Sequence, residues 1–419
     1  MDNPKTVAFL TLGCKLNYAE TATMARDFVQ HGYTLVSPSK PAVVYVVNTC
    51  SVTGNADKKC RQAIRKLIKV NPRAVVAVTG CYAQLRAPEI QKIPGVSLVL
   101  GTNYRHRIVE AVETGHSFTC SCEELHSIFP AFSAVGNTRE RTRSFLKVQD
   151  GCDYRCSYCT VPLARGGSRN IPIALAVEQA QTIAAAGVKE IVLTGVNTGD
   201  FGKTTGETFF NLLKALEEVQ GIERYRISSI EPNLLTTEII AWLAEHPKFQ
   251  HHFHIPLQSG SDNVLKRMRR RYTTGLFAER LQYIRTKMPY AFIGVDVIVG
   301  FPGETEEDFE TTCRFLEEVR PAFLHIFPYS VRPGTQAALF PVSERVAAEI
   351  QAERVHKLGQ LSDILHESFC RANSGRREKV LFEGKTLNGK MHGYTGNYIR
   401  VEREYDKSLI NTIVEVTLD

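Results

Sequence analysis

Short β-branched or apolar runs at Val7–Leu12, Val43–Val47 and Val75–Thr79 alternate with helix-like stretches at about Tyr18–Gln30 and Lys58–Val70. Runs without a polar face are what parallel strands buried on both sides require. A further strand is predicted at Leu98–Leu100. This alternation predicts a small, open, doubly wound parallel sheet over residues 1–115.

A second α/β series opens at Phe145–Gln149. Strand patterns recur at Glu190–Val196, Tyr225–Ile230, His252–Leu257, Ile293–Val299 and Phe323–Tyr329. Helical patterns lie between them, for example Ala174–Ala186, Phe209–Val219, Thr237–Ala244, Phe277–Thr286 and Glu306–Val319. Six units running one way predict a partial (β/α)6 barrel over residues 139–372, closed by a long helix at about Glu344–Arg371. Segment 116–138, with its Ser, Gly, Cys and Pro, reads as a linker. Residues 373–419 change character. Strands at Val380–Phe382, Tyr398–Val401 and Thr412–Leu418 are parted by turns at Gly384, Asn388-Gly389, Gly393 and Gly396-Asn397. They predict a small all-β, OB-like module. The chain is thus expected to be α/β: a flavodoxin-like sheet, a partial barrel and a β tail.

Composition narrows the class. The 419 residues are 43% apolar and 23% charged, which excludes wholesale disorder. No apolar run approaches the ~18 residues of a spanning helix, and the N-terminus lacks a signal-peptide core. An intracellular, cytoplasmic protein with no membrane partner is expected. Eleven cysteines, an odd number, argue for metal or redox chemistry rather than a disulfide scaffold.

Six of those cysteines form two sets. Cys152, Cys156 and Cys159 make a CxxxCxxC loop directly after the first barrel strand. Three thiolates on one tight loop can hold three irons of a four-iron cluster and leave the fourth open to a small molecule. Structural zinc wants four closed ligands, and no fourth Cys or His lies in this loop. Cys14, Cys50 and Cys81 are dispersed, yet each ends a predicted strand of the first sheet. In an open parallel sheet those ends gather at one edge, where ligands bind. Gly13 and Gly80 precede two of them, as a backbone packed against a bulky group requires. Cys60, Cys313 and Cys370 read as packing or surface thiols, and Cys120 and Cys122 as a partnerless Cys-x-Cys in the linker.

CxxxCxxC after a strand is the spacing of the radical S-adenosylmethionine (SAM) enzymes. With the second trio, the chain resembles the radical SAM methylthiotransferases from end to end. The resemblance is carried by Thr11–Thr21, Asn48–Thr53, Thr79–Gln84, Ser228–Pro232, His254–Ser261 and Gly300–Thr305. Gly13-Cys14-Lys15-Leu16-Asn17 and Ser228–Pro232 are most similar to the MtaB type, which modifies N6-threonylcarbamoyladenosine beside the tRNA anticodon. The isopentenyladenosine group more typically shows Gln-Met after the first cysteine, and the ribosomal-protein group Pro-Lys. The resemblance implies two [4Fe-4S] clusters, SAM used twice per turnover, and a TRAM-like tail that holds RNA. It implies conversion of N6-threonylcarbamoyladenosine at tRNA position 37 to its 2-methylthio derivative. A 5′-deoxyadenosyl radical and a sulfur ligand on the auxiliary cluster would do this. Partners implied are a tRNA anticodon stem-loop and an electron donor such as flavodoxin or ferredoxin. The competing readings are the same chemistry on isopentenyladenosine tRNA or a ribosomal protein, and a non-catalytic two-cluster RNA-binding or electron-transfer protein.

Supporting residues follow from the strand ends. Thr194, Gly195 and Asn197 end the second barrel strand, Ser229 and Glu231 the third, and Gln258 the fourth, where polar groups face the barrel mouth. The resemblance to the family implies that they, with Tyr158 and Arg270, contact SAM. The net charge is +7, but the tail from Arg376 carries only 8 basic against 7 acidic residues. Positive charge concentrates instead at Lys58–Arg73, Asn137–Asn170 and Lys266–Arg271. Arg165, Arg169, Lys266, Arg267 and Arg271 are therefore expected to meet RNA phosphates.

Overall fold

A computed structural model describes residues 5–119, 128–133 and 142–419 of the chain. Its first layer contains β1 (Thr6–Thr11), α1 (Lys15–Gln30), β2 (Thr34–Leu35), β3 (Val44–Thr49) and α2 (Gly54–Val70). It continues through β4 (Val75–Gly80), α3 (Cys81–Gln91), β5 (Leu98–Val99) and α4 (Ile108–Thr114). The strands are all parallel, in the order β2-β1-β3-β4-β5. This is the flavodoxin order, which places the topological switch point between β1 and β3. Strand β3 is buried at every position. Its alternate residues serve two cores: Tyr45 and Val47 pack with Ile64 and Leu67 of α2, while Val44 and Val46 pack with Phe28 of α1 and Ile108 of α4.

The second unit begins with β6 (Ala131–Phe132), which the sequence pattern had assigned to the linker, antiparallel to β7 (Arg143–Lys147). A two-residue ladder, β8 (Gln149–Asp150) with β9 (Arg169–Asn170), clasps the CxxxCxxC loop and α5 (Val161–Arg165) between its strands. The units then repeat: α6 (Ile173–Ala185), β10 (Glu190–Thr194), α7 (Phe209–Glu217), β11 (Arg224–Ile227), α8 (Thr237–Glu245) and β12 (His252–His254). They end with α9 (Asp262–Arg267), α10 (Thr274–Lys287), β13 (Phe292–Val299), α11 (Glu306–Val319), β14 (Phe323–Pro328) and α12 (Ala348–Asn373). Strands β7, β10 and β11 are parallel neighbours, as are β12, β13 and β14. Single parallel bridges, Tyr225 to Phe249 and Ser229 to His254, join the two groups into one curved wall. Six parallel strands therefore form the partial barrel.

The tail is a four-stranded antiparallel sheet of β15 (Arg377–Leu387), β16 (Lys390–Thr395), β17 (Arg400–Glu404) and β18 (Ile413–Thr417) in the order β17-β16-β15-β18. Gly393, read from sequence as a turn, lies inside β16. A Cβ there would stand 2.4 Å from Val380 Cγ1, so close strand packing is what calls for glycine. Arg224 and Arg226 of β11 bind the tail through its backbone, donating to the carbonyls of Lys379, Tyr394, Thr395 and Gly396.

The sheet and the barrel are joined by buried charge. The Glu20 carboxylate on α1 accepts from Arg105 at 3.1 Å, from Lys147 of β7 at 2.7 Å and from Arg165 of α5 at 3.0 Å. Asp150 shares the same nitrogens, Lys147 Nζ and Arg165 Nη1, at 2.6 and 2.8 Å. Burial alone would raise the Glu20 pKa, but Arg105, Arg165 and Lys147 together outweigh it and hold the group at about 2, below its ordinary 4.5. A depressed carboxyl stabilises the fold fully above its unfolded pKa, and that stability is lost as pH falls through the folded value. Denaturant titrations should therefore show stability declining from about pH 4.5 towards pH 2, with this part of the decline absent in Glu20→Gln. At neutral pH that variant, which leaves three buried cations short of a partner, should be about 3–5 kcal/mol less stable.

Candidate active site

Each cysteine of the dispersed trio stands where a strand hands over to a helix. Cys14 caps the N-terminus of α1, Cys50 follows β3, and Cys81 is the first residue of α3. Gly13 has φ +107°, and a Cβ there would lie 2.7 Å from Cys50 Cβ; Gly80 has φ +100°, and its Cβ would lie 2.4 Å from the Thr49 carbonyl oxygen. Asn17 ties the strand ends together, donating to the carbonyls of Leu12 at 2.7 Å and Thr49 at 3.0 Å. Its own Oδ1 accepts from Arg165 at 2.6 Å. Burial pushes the Cys50 thiol up to about 12 and raises Cys14, whereas the Arg165 charge works against burial at Cys14.

In the barrel loop, the hydrogen bonds to sulfur all come from donors. The Tyr154 amide lies 3.3 Å from Cys152 Sγ, the Val161 amide 3.4 Å from Cys159 Sγ, and Arg270 Nη1 3.0 Å from Cys156 Sγ. Burial holds Cys152 and Cys159 near 12 as free thiols, so ligation to metal is what makes them anionic, and the donors then stabilise that charge. Among the described residues, neither trio brings all three sulfurs within 4.8 Å of one another. A single zinc would hold its sulfurs about 3.8 Å apart. The wider setting of both trios, and the donors at the barrel-loop sulfurs, fit an iron–sulfur cluster bound through three of its irons.

The two trios are neighbours. Thr160, next after Cys159, donates to the carbonyl of Ser51, next after Cys50, at 3.4 Å. Arg332, beyond β14, grips the same loop by donating to Ser51 Oγ at 2.8 Å and Asp57 at 2.7 Å. Cys14 opens to a cavity of about 810 Å³ whose wall also holds Lys15 of the sheet, Thr194, Gly195, Ser229, His254 and His325 of the barrel, and Glu383 and Lys385 of the tail. All three parts of the chain meet there.

The residues expected around SAM divide in two. Thr194, Gly195 and Ser229 line this cavity, whereas Tyr158 and Gln258 line a smaller one of about 220 Å³. Arg270 bridges the cluster loop to the barrel: it donates to Glu231, to Cys156 and, at 3.1 Å, to Tyr272. Asn197 accepts from the Glu231 amide at 3.3 Å, and its own Nδ2 is buried without a partner.

The residues expected at RNA phosphates separate more sharply. Lys266, Arg267 and Arg271 are exposed, with Arg271 stacked 4.2 Å over the Tyr154 ring. Arg165 and Arg169 are not on the surface: Arg165 is 2% exposed and committed to Glu20, Asp150 and Asn17, and Arg169 is 7% exposed and donates to the Gly167 carbonyl. Cys60 and Cys313 are buried packing thiols, while Cys120 and Cys122 lie outside the described residues. Residues that sequence reasoning left without a role are Lys15, Asn17, Asp296, His254 and His325. His254 Nε2 donates to Asp296 at 2.8 Å, and the two histidine rings stand 5.0 Å apart.

A curved parallel barrel with a CxxxCxxC loop, joined to a flavodoxin-like sheet whose switch point bears a second cysteine trio, defines a two-domain radical SAM protein. The Radical SAM superfamily matches residues 146–316, and an uncharacterized protein family, UPF0004, matches residues 6–101. The threonylcarbamoyladenosine tRNA methylthiotransferase MtaB of Bacillus subtilis (strain 168) is 40% identical, over 99% of this chain and 93% of its own. The protein of that name from Aquifex aeolicus is 37% identical over 95% and 96%. A tRNA-2-methylthio-N(6)-dimethylallyladenosine synthase of Geobacter sulfurreducens is 36% identical over 97% and 93%. The radical SAM methyltransferase TsrM of Kitasatospora setae, solved with cobalamin and a [4Fe-4S] cluster, shares the fold, with a TM-score of 0.57 and 13% identity over 80% of this chain and 77% of its own. The chain belongs to the radical SAM methylthiotransferase family, in its MtaB-type branch.

The handover at Gly80 can be tested without cofactor. Gly80→Ala should lower stability by about 2 kcal/mol or more, because a positive φ and a backbone clash act together. Gly32→Ala, at φ +81° but with nothing within 4 Å, should cost only about 1 kcal/mol. Thermal unfolding of the cluster-free protein measures both.

Proposed function

We propose that this protein converts N6-threonylcarbamoyladenosine at position 37 of tRNA to its 2-methylthio derivative. The observation that carries this reading is the contact of the two cysteine loops at Thr160 and Ser51, together with a cavity shared by sheet, barrel and tail to which Cys14 opens. The full-length likeness to MtaB proteins supports the choice of base. Cys152, Cys156 and Cys159 would hold one [4Fe-4S] cluster, and Cys14, Cys50 and Cys81 the other. When bound, the clusters and SAM would supply the radical and sulfur-transfer chemistry.

The chain's own work is positioning. Gln149 Oε1 accepts from the Val196 and Asn197 amides at 2.8 and 3.0 Å, which fixes the turn after β10. The side-chain Nδ2 of Asn197, buried without a partner, would be a donor for the carboxylate of SAM. Thr194, Gly195 and Ser229 in the larger cavity, and Tyr158 and Gln258 in the smaller one, would flank the cofactor from two sides. Glu231 and Arg270 neutralise each other and hold Cys156 in place, so Arg270 acts as a positioning residue. Lys266, Arg267 and Arg271 face solvent near the cluster loop, where they can take phosphates of the anticodon stem. Flavodoxin or ferredoxin would deliver the electron.

Reconstituted protein should hold roughly eight irons per chain, and each triple Cys→Ala variant roughly four. With SAM and a reductant, the wild type should convert a threonylcarbamoylated anticodon stem-loop and leave an unmodified one unchanged, as nucleoside mass spectrometry would show. Formation of 5′-deoxyadenosine without any methylthio product on that stem-loop would overturn the substrate assignment.

A further inference from the structure

The cavity wall carries three basic side chains, Lys15, Arg143 and Lys385, against one carboxylate, Glu383. That carboxylate is already engaged by Arg143 at 2.5 Å. Arg143 also reaches Glu190 at 3.3 Å, and Glu190 holds Arg226 at 2.9 Å. Among the described residues, the Lys15 side chain has no ion pair and no hydrogen bond. It opens both to the main cavity and to an adjoining one of about 480 Å³, whose wall adds Arg226 and Arg400. Lysine in such company has the like charges of Arg143 and Arg226 for neighbours, and the one carboxylate that acts on it, Glu190, is already held by those two arginines. A built-in surplus of this kind in an enclosed space suits a ligand that brings a negative charge.

Position decides what that ligand group is. Lys15 follows Cys14 directly, so it stands beside the proposed source of sulfur. On an adenine ring, C2 and the N6 substituent lie on the same edge, flanking N1. A base that offers C2 to the sulfur therefore carries its N6 substituent past the adjoining wall. We propose that Lys15 binds the carboxylate of the N6-threonylcarbamoyl group and so sets the enzyme's preference for that base over one with an uncharged N6 chain. His325 lines the cavity on the same side, and His254, fixed by Asp296, backs it. Lys15 is in this account a specificity determinant, and the assignment rests on the threonylcarbamoyladenosine reading above.

The test compares three anticodon stem-loops, with threonylcarbamoyladenosine, its carboxyl methyl ester, or isopentenyladenosine at the target position. Both binding to the cluster-loaded protein and kcat/KM are measured. The wild type should favour the free acid over the ester by about 10- to 100-fold, the range of a charge-assisted hydrogen bond. Lys15→Gln, with its iron content checked, should bind acid and ester alike, and Lys15→Arg should restore most of the preference. Equal use of acid and ester by the wild type would overturn the proposal without any variant. So would a preference that survives in Lys15→Gln, or one lost in Lys385→Gln but kept in Lys15→Gln. A wild type that modifies neither acid nor ester would refute the substrate assignment itself.

Discussion

The architecture turns on one buried carboxylate. Glu20 belongs to the first sheet's α1, yet two of its three cationic partners, Lys147 and Arg165, belong to the barrel. A charge this deep is tolerated only because its partners are fixed in contact with it, with Asp150 completing the set. The energetic consequence is geometric: neither domain can slide without uncovering an unpaired ion. Arg165 carries the constraint onward, since it also donates to Asn17, which in turn holds the ends of β1 and β3. A domain-joining interaction thus runs within one turn of Cys14.

That arrangement explains how two chemically independent sites can serve one substrate. The first trio sits at the switch point of an open sheet, the usual crevice for a ligand in such folds. The second sits at the carboxyl ends of barrel strands, the usual face for function there. The folds alone say nothing about how the two faces are oriented. Buried ion pairs, the Thr160–Ser51 contact and the Arg332 clamp on Ser51 and Asp57 turn them towards each other. The tail then closes the remaining side through Glu383 and Lys385.

Much of this was legible in the sequence because it is local. Apolar runs with no polar face marked the parallel strands, and cysteines placed immediately after them marked the sheet edge. What depended on distant partners was not legible. Arg165 counts as one more cation in a basic segment until Glu20, 145 residues away, is seen to neutralise it. Gly393 looks like a turn until β15 is packed against it. The two-residue β6 and the β8–β9 clasp are too short to carry any periodicity. Lys15 was visible only as part of a family-like string, because its lack of a partner is a property of the folded cavity.

The account stands on the radical and the sulfur meeting at the same base, and isotope transfer tests that most directly. A threonylcarbamoylated stem-loop bearing deuterium at C2 would be given to the reconstituted protein with SAM and reductant for a single turnover. One deuterium should pass into 5′-deoxyadenosine for each methylthio group formed. Methylthio product accompanied by unlabelled 5′-deoxyadenosine would contradict a shared cavity.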